Sequence, residues 1–93
     1  MNCVRYRLET TAGNTYLVVG DDFMFVTVAD ENAPTSAEFR TMLETICRVS
    51  SKALKAGVTL DVIREQMTAG DMGRNTIVAT IAGKIGEYLE QLR

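Results

Sequence analysis

Apolar residues fall on every second position from Cys3 to Glu9: Val4, Tyr6 and Leu8 alternate with Cys3, Arg5, Arg7 and Glu9. Strict period-two alternation predicts a half-buried strand. Thr10-Thr11-Ala12-Gly13-Asn14 reads as a turn, because Gly and Asn accept the positive φ of a tight hairpin. A second strand is predicted over Thr15–Val19, a second turn at Gly20-Asp21-Asp22, and a third strand over Phe23–Ala29. Connections this short make an antiparallel meander. The third strand is apolar on both faces, with Phe23 and Phe25 on one and Met24, Val26 and Val28 on the other. A sheet covered on one side should carry a polar outer face. Either a helix wraps round this one or a second copy of the chain packs there, and the second copy is the favoured expectation.

After a loop at 30–34, the period changes to three and four. Thr35 and Glu38 have the spacing of a capping box. Phe39, Met42, Leu43, Ile46, Cys47, Ser50, Ala53 and Leu54 then form one stripe, with Arg40, Glu44, Arg48, Ser51, Lys52 and Lys55 on the opposite, solvated face. Gly57 is placed to stop this helix, and Lys52 and Lys55 suit its negative end. Thr59 caps a second helix over Leu60–Met67, and 68–75 reads as a loop. Asn75 is the expected N-cap of a last helix with Ile77, Val78, Ile81, Ile85, Tyr88, Leu89 and Leu92 on one stripe. That helix also carries a patch of small residues, Ala79, Ala82, Gly83 and Gly86, which permits close approach of another backbone. The approaching element is the first helix of the same chain or a helix of a second protomer.

The expected fold is therefore α+β: an N-terminal three-stranded antiparallel meander within 1–30, then three helices packed on one face within 35–93, in a single domain spanning 1–93. At this length the core is real but thin. A hydrophobic fraction of 46% with 24% charged residues is that of an ordinary globular domain. No apolar run reaches the ~20 residues of a membrane span, and the N-terminus does not read as a signal peptide. Cys3 and Cys47 lack C-x-x-C spacing, which points to a reducing cytoplasm and to two small core residues. A net charge of −2 argues against nucleic-acid binding through bulk electrostatics. The chain has no histidine, so the usual general base and the commonest metal ligand are missing. No catalytic residues, metal or cofactor are assigned, and the expectation is a protein that is not an enzyme.

The segment from Tyr6 to Met67 resembles the TSCPD domain, which lies at the C-terminal end of adenosylcobalamin-dependent ribonucleotide reductases and also forms small separate proteins. The matching stretches are Thr10–Val19, Phe23–Glu31, Phe39–Arg48 and Lys52–Met67. They repeat the family's order of a small meander, a helix ending in an Ala-Leu-x-x-Gly-Val step (Ala53 to Val58), and a short helix ending in Gln66-Met67. The family's Thr-Ser-Cys-Pro-Asp signature is replaced here by Arg74-Asn75-Thr76-Ile77-Val78-Ala79, without cysteine or proline. Any thiol role of that signature is thereby removed. The resemblance implies a shape, an oligomer and a ribonucleotide reductase as a larger partner.

Positive charge marks the candidate ligand contacts. Arg5 and Arg7 share a strand face, Arg40 and Arg48 a helix face, and Arg74 stands in Gly73-Arg74-Asn75-Thr76 at the start of the last helix. A helix N-terminus with an adjacent guanidinium is suited to a phosphate. Tyr6, Tyr16, Phe23 and Phe25 are candidates for stacking on a base or for the core. The functional expectation is a non-catalytic oligomeric module that senses or sequesters an anionic, nucleotide-like molecule in Arg-lined pockets. Phe23, Phe25, Ala79, Ala82, Gly83 and Gly86 would form the subunit contacts, with neither nucleic acid nor membrane as partner. The alternative is a docking or regulatory module on ribonucleotide reductase.

Overall fold

A computed structural model describes residues 3–10, 13–28 and 37–92. Strands β1 (Cys3–Thr10), β2 (Gly13–Gly20) and β3 (Met24–Val28) are followed by helices α1 (Ala37–Lys55), α2 (Leu60–Asp71) and α3 (Ile77–Gln91). The strands lie in the order β1-β2-β3, both pairs antiparallel, so the expected α+β meander with three following helices is present. The capping box at Thr35 and the loop at 30–34 lie outside the described residues.

Register places Arg5 opposite Val18 and Val18 opposite Phe25, and the neighbouring row is Arg7, Tyr16, Thr27. Alternation then sends Leu8, Leu17, Val19 and Met24 to the other face, where each is at most 2% exposed. There they meet Leu43, Cys47 and Leu54 of α1, Leu60, Ile63 and Met67 of α2, and Ile81, Ile85 and Tyr88 of α3 in one core. α3 crosses β1 and β2, α1 lies against β3, and α2 packs on α3.

Helix ends follow local chemistry. Gly57, at φ +102°, closes α1: its N–H donates to Leu54 O and that of Val58 to Ala53 O, the paired bonds of a Schellman motif. Thr59 Oγ1 accepts from Val62 N and starts α2 as expected. Among the strands, β1 runs to Thr10 and β2 starts at Gly13, so Thr10, Gly13 and Asn14 of the expected turn pair in the ladder instead. Two helix boundaries also differ from the sequence reading. α2 continues through 68–71, and Thr76 rather than Asn75 is the N-cap of α3, its Oγ1 accepting from Val78 N. Asn75 instead takes a left-handed φ of +58°. Of the expected stripes, Met42 and Leu92 are exposed rather than buried, and Cys3 is exposed on β1 while Cys47 is in the core.

At Gly86 the small-residue patch of α3 meets α2 rather than α1. Ala82 and Gly86 are buried, and a Cβ at Gly86 would stand 3.0 Å from the Arg64 guanidinium carbon, so that side chain lies over the glycine. Gly83 is exposed with open space beside it, and Ala79 is half-buried.

Candidate functional site

The Gly73-Arg74-Asn75-Thr76 turn already holds an anion, and it is the chain's own. The Asp71 carboxylate accepts from Asn75 N at 2.9 Å, Thr76 N at 2.8 Å and the Thr76 hydroxyl at 2.5 Å. These bonds, the Thr76 hydroxyl's first, hold its carboxyl below the ordinary carboxylate range. The donors expected to grip a phosphate are thus engaged. Arg74 is exposed, with its guanidinium 3.6 Å from Met72 Sδ, and the nearby cavity lined by Asn75 and Thr76 also contains Glu9, an unfavourable neighbour for a phosphate.

The other arginines fall into two groups. Arg5 and Arg7 project from β1 onto the outer sheet face. The Arg5 guanidinium sits 4.7 Å from the centroid of Tyr16, and Arg7 donates to Asn14 Oδ1 at 3.3 Å. Arg48 is on α1 beside the edge of β3, in a cavity of about 310 Å³ lined by Met24, Phe25, Val26, Glu44, Cys47, Arg48, Ser51, Lys52 and Lys55. Arg40, half-buried, does not line it.

The position of this cavity follows from how α1 meets the sheet. Gly20 N bonds Phe23 O, so Phe23 belongs to a hydrogen-bonded pair and the alternate residue Met24 turns its N–H and C=O away from β2. Ser51 Oγ meets both, accepting from Met24 N and donating to Met24 O. With Ser51 fixed on the strand edge, the neighbouring turns of α1 carry Arg48, Lys52 and Lys55 alongside Phe25. Among the described residues none of these three cations forms a salt bridge. Phe25 is 49% exposed, and its ring stacks at 6.1 Å and 14° on Phe23. Phe23 in turn lies directly over Gly20, where an added Cβ would stand 2.3 Å from its ring.

Of the residues gathered here, the sequence marks Arg48 as a ligand contact and Phe25 as a candidate for stacking on a base, but not Ser51, Lys52 or Lys55. The two lysines have a sufficient local explanation at the end of α1, and Ser51 sits in a charged row. The signal that was available is the second apolar face of β3. Tyr6 lies on the inner face, half-buried, and so is separated from Tyr16, Phe23 and Phe25.

A second, larger groove of about 570 Å³ runs between α1 and α2, lined by Ile46, Val49, Ala53, Val58, Val62 and Met67 among others and by no charged residue. Its chemistry is apolar. Cys47 is buried, and burial pushes its thiol up to about 11, so it keeps its proton at neutral pH. Among the described residues no cluster of three acidic or sulfur side chains is placed to hold a metal ion, and no helix is long and apolar enough to cross a membrane. Comparison with protein-family models, curated proteins and solved structures finds no match to this chain.

Proposed function

We propose that this protein is a non-catalytic module that binds an anionic, nucleotide-like molecule at the junction of β3 and α1, and that it does so as a homo-oligomer. The observation that carries the reading is the convergence of Arg48, Lys52 and Lys55 beside the exposed ring of Phe25. Three cations against the single carboxylate of Glu44 give the cavity a positive field, and unpaired side chains are free to engage a phosphate. An aromatic ring at the cavity mouth offers a face for a base. The absence of a histidine from the chain fits binding rather than proton-transfer chemistry.

Calorimetric titration of the whole chain with nucleoside monophosphates, cyclic nucleotides and inorganic phosphate tests the reading. Micromolar or millimolar binding that is lost in the Arg48→Glu, Lys52→Glu double variant supports it. Silence across the panel, or binding indifferent to that variant, overturns it.

Self-association is supported by exposed apolar residues along the α1–α2 groove: Val49 at 62%, Val58 at 38% and Val62 at 44%. The same groove favours a second reading, a docking module for a larger enzyme, with ribonucleotide reductase the candidate implied by the resemblance. Sedimentation of the pure chain and of a Val49→Asp, Val62→Asp variant separates the two. A dimer dissolved by the substitutions assigns the groove to a second copy, and a monomer that co-sediments with a reductase assigns it to docking.

A further inference from the structure

The outer face of the sheet continues the cavity at β3–α1, and its chemistry narrows the ligand class. From β1 to α1 the surface runs Arg5 and Arg7, then Tyr16 and Val18, then Phe25 and Phe23, then Arg48 and Lys52. An aromatic strip is therefore flanked by cations on both sides. Among the described residues no helix packs on it. Strands are spaced by about 4.8 Å, so Arg5 and Phe25 lie about 10 Å apart across β2. Tyr16 and Phe25 are diagonal neighbours at roughly 7–8 Å. The strip thus has two stacking stations, the Arg5 guanidinium plane over Tyr16 and the open face of Phe25, each with its own cationic flank.

One mononucleotide uses only one of these. We infer that the ligand contains phosphodiester-linked nucleotides, with one base on Phe25, the next on Arg5–Tyr16, and phosphates reaching Arg48 and Lys52 on one side and Arg7 on the other. This inference rests on the proposed β3–α1 site and extends it. The chain's net charge of −2 does not oppose it. Screening confines each charge to about 8 Å at physiological salt, so the local excess on this face governs the encounter. On this side Glu9, which shares the outer face of β1, and Glu44, which lines the cavity, stand against Arg5, Arg7, Arg48, Lys52 and Lys55. Asp61 and Glu65 of α2 and Glu87 and Glu90 of α3 belong instead to helices on the inner side of the sheet. Single-stranded nucleic acids are recognised by such splayed bases on aromatic or guanidinium planes, whereas duplexes are not.

The occupant is either a small dinucleotide or a stretch of single strand, and titration of the intact chain with adenosine monophosphate, the dinucleotide pApA and an eight-residue oligoadenylate distinguishes them. The dinucleotide is expected to bind about five- to 150-fold tighter than the monophosphate, the range one added stacking contact gives. An Arg5→Ala, Arg7→Ala double variant, folded by circular dichroism, should lose that gain and keep the monophosphate affinity. Phe25→Ala should weaken all three ligands. A plateau at the dinucleotide assigns a small-molecule ligand. A further rise at the octamer, with a salt slope of about 0.7 per phosphate contacted, assigns single strand. Equal affinity for monophosphate and dinucleotide overturns this inference and leaves the β3–α1 site standing, while silence from every probe removes both. A dimer that Phe25→Asp dissolves, combined with no gain for the dinucleotide, would assign the strip to a second copy and likewise overturn it.

Discussion

The hydroxyl of Ser51 is hydrogen-bonded twice to one residue, accepting from Met24 N at 2.7 Å and donating to Met24 O at 2.6 Å. A helix side chain thereby closes the outward backbone groups of an edge strand at Met24, which is itself buried. The same contact fixes the rotation of α1 that sets Arg48 and Lys52 beside Phe25. Ser51→Ala leaves a buried donor and a buried acceptor unmade. We expect a loss of about 1–3 kcal/mol in urea unfolding, together with weaker nucleotide binding. A variant that binds and unfolds like the parent would show that the contact does not orient the helix.

Asp71 links the end of α2 to the start of α3 through a carboxylate that works only when ionised. Its folded-state pKa is lowered, chiefly by the Thr76 hydroxyl and backbone N–H, so its contribution is complete above the ordinary carboxylate value and is lost as pH falls through the depressed one. Asp71→Ala should therefore be destabilised relative to the parent at pH 7, with the gap narrowing as pH falls below that value. Thermal melts of both proteins at pH 7, 4 and 3 measure it. A gap that stays constant with pH would mean that the carboxylate's charge is irrelevant.

The Tyr88 hydroxyl donates to Asp21 Oδ1 at 2.6 Å and ties α3 to the β2–β3 turn across 67 residues of sequence. Burial, then the bond to Asp21, pushes the phenol up to about 12. Stability from the neutral phenol is fully present below its unfolded value near 10 and disappears as pH rises through about 12. Tyr88→Phe should cost about 1–2 kcal/mol near neutrality, at the low end for a charged acceptor because the exposed Asp21 regains water. It should also flatten the alkaline limb of the stability profile. Urea midpoints at pH 7 and pH 11 for both proteins check both effects.

Much of this architecture is legible in the chain because single residues carry short-range signals. The alternation of Val4, Tyr6 and Leu8 identifies the inner face of β1, Thr59 marks the start of α2, and Gly57 the end of α1. Readings failed where a partner distant in sequence or an unusual backbone decides the outcome. Thr68-Ala69-Gly70-Asp71 has turn composition, yet it stays helical because Asp71 finds its donors in the next helix cap. Asn75 has the identity of a cap but is turned left-handed, handing the role to Thr76. The candidate site is half visible in the sequence: Arg5, Arg7, Arg48 and Phe25 each stand out separately. Their grouping depends on the β1–β2–β3 register and on Ser51, neither of which any local pattern encodes.

Gly83 and Gly86 lie three apart in α3 and should respond differently to the same substitution. Gly83 faces open space, so Gly83→Ala gains helix propensity without a clash and is expected to stabilise by about 0.5–1 kcal/mol. Gly86→Ala places its methyl 3.0 Å from the Arg64 guanidinium carbon, and that side chain must shift by a few tenths of an ångström. Its gain should be smaller or absent. Removing the obstacle isolates the cause: in an Arg64→Ala background, Gly86→Ala should recover the stabilisation seen at Gly83, and the difference between the two backgrounds is the coupling between these positions. Urea unfolding of the four proteins of that cycle measures it. Equal gains from Gly86→Ala with and without Arg64 would show that the guanidinium does not rest on the α3 backbone.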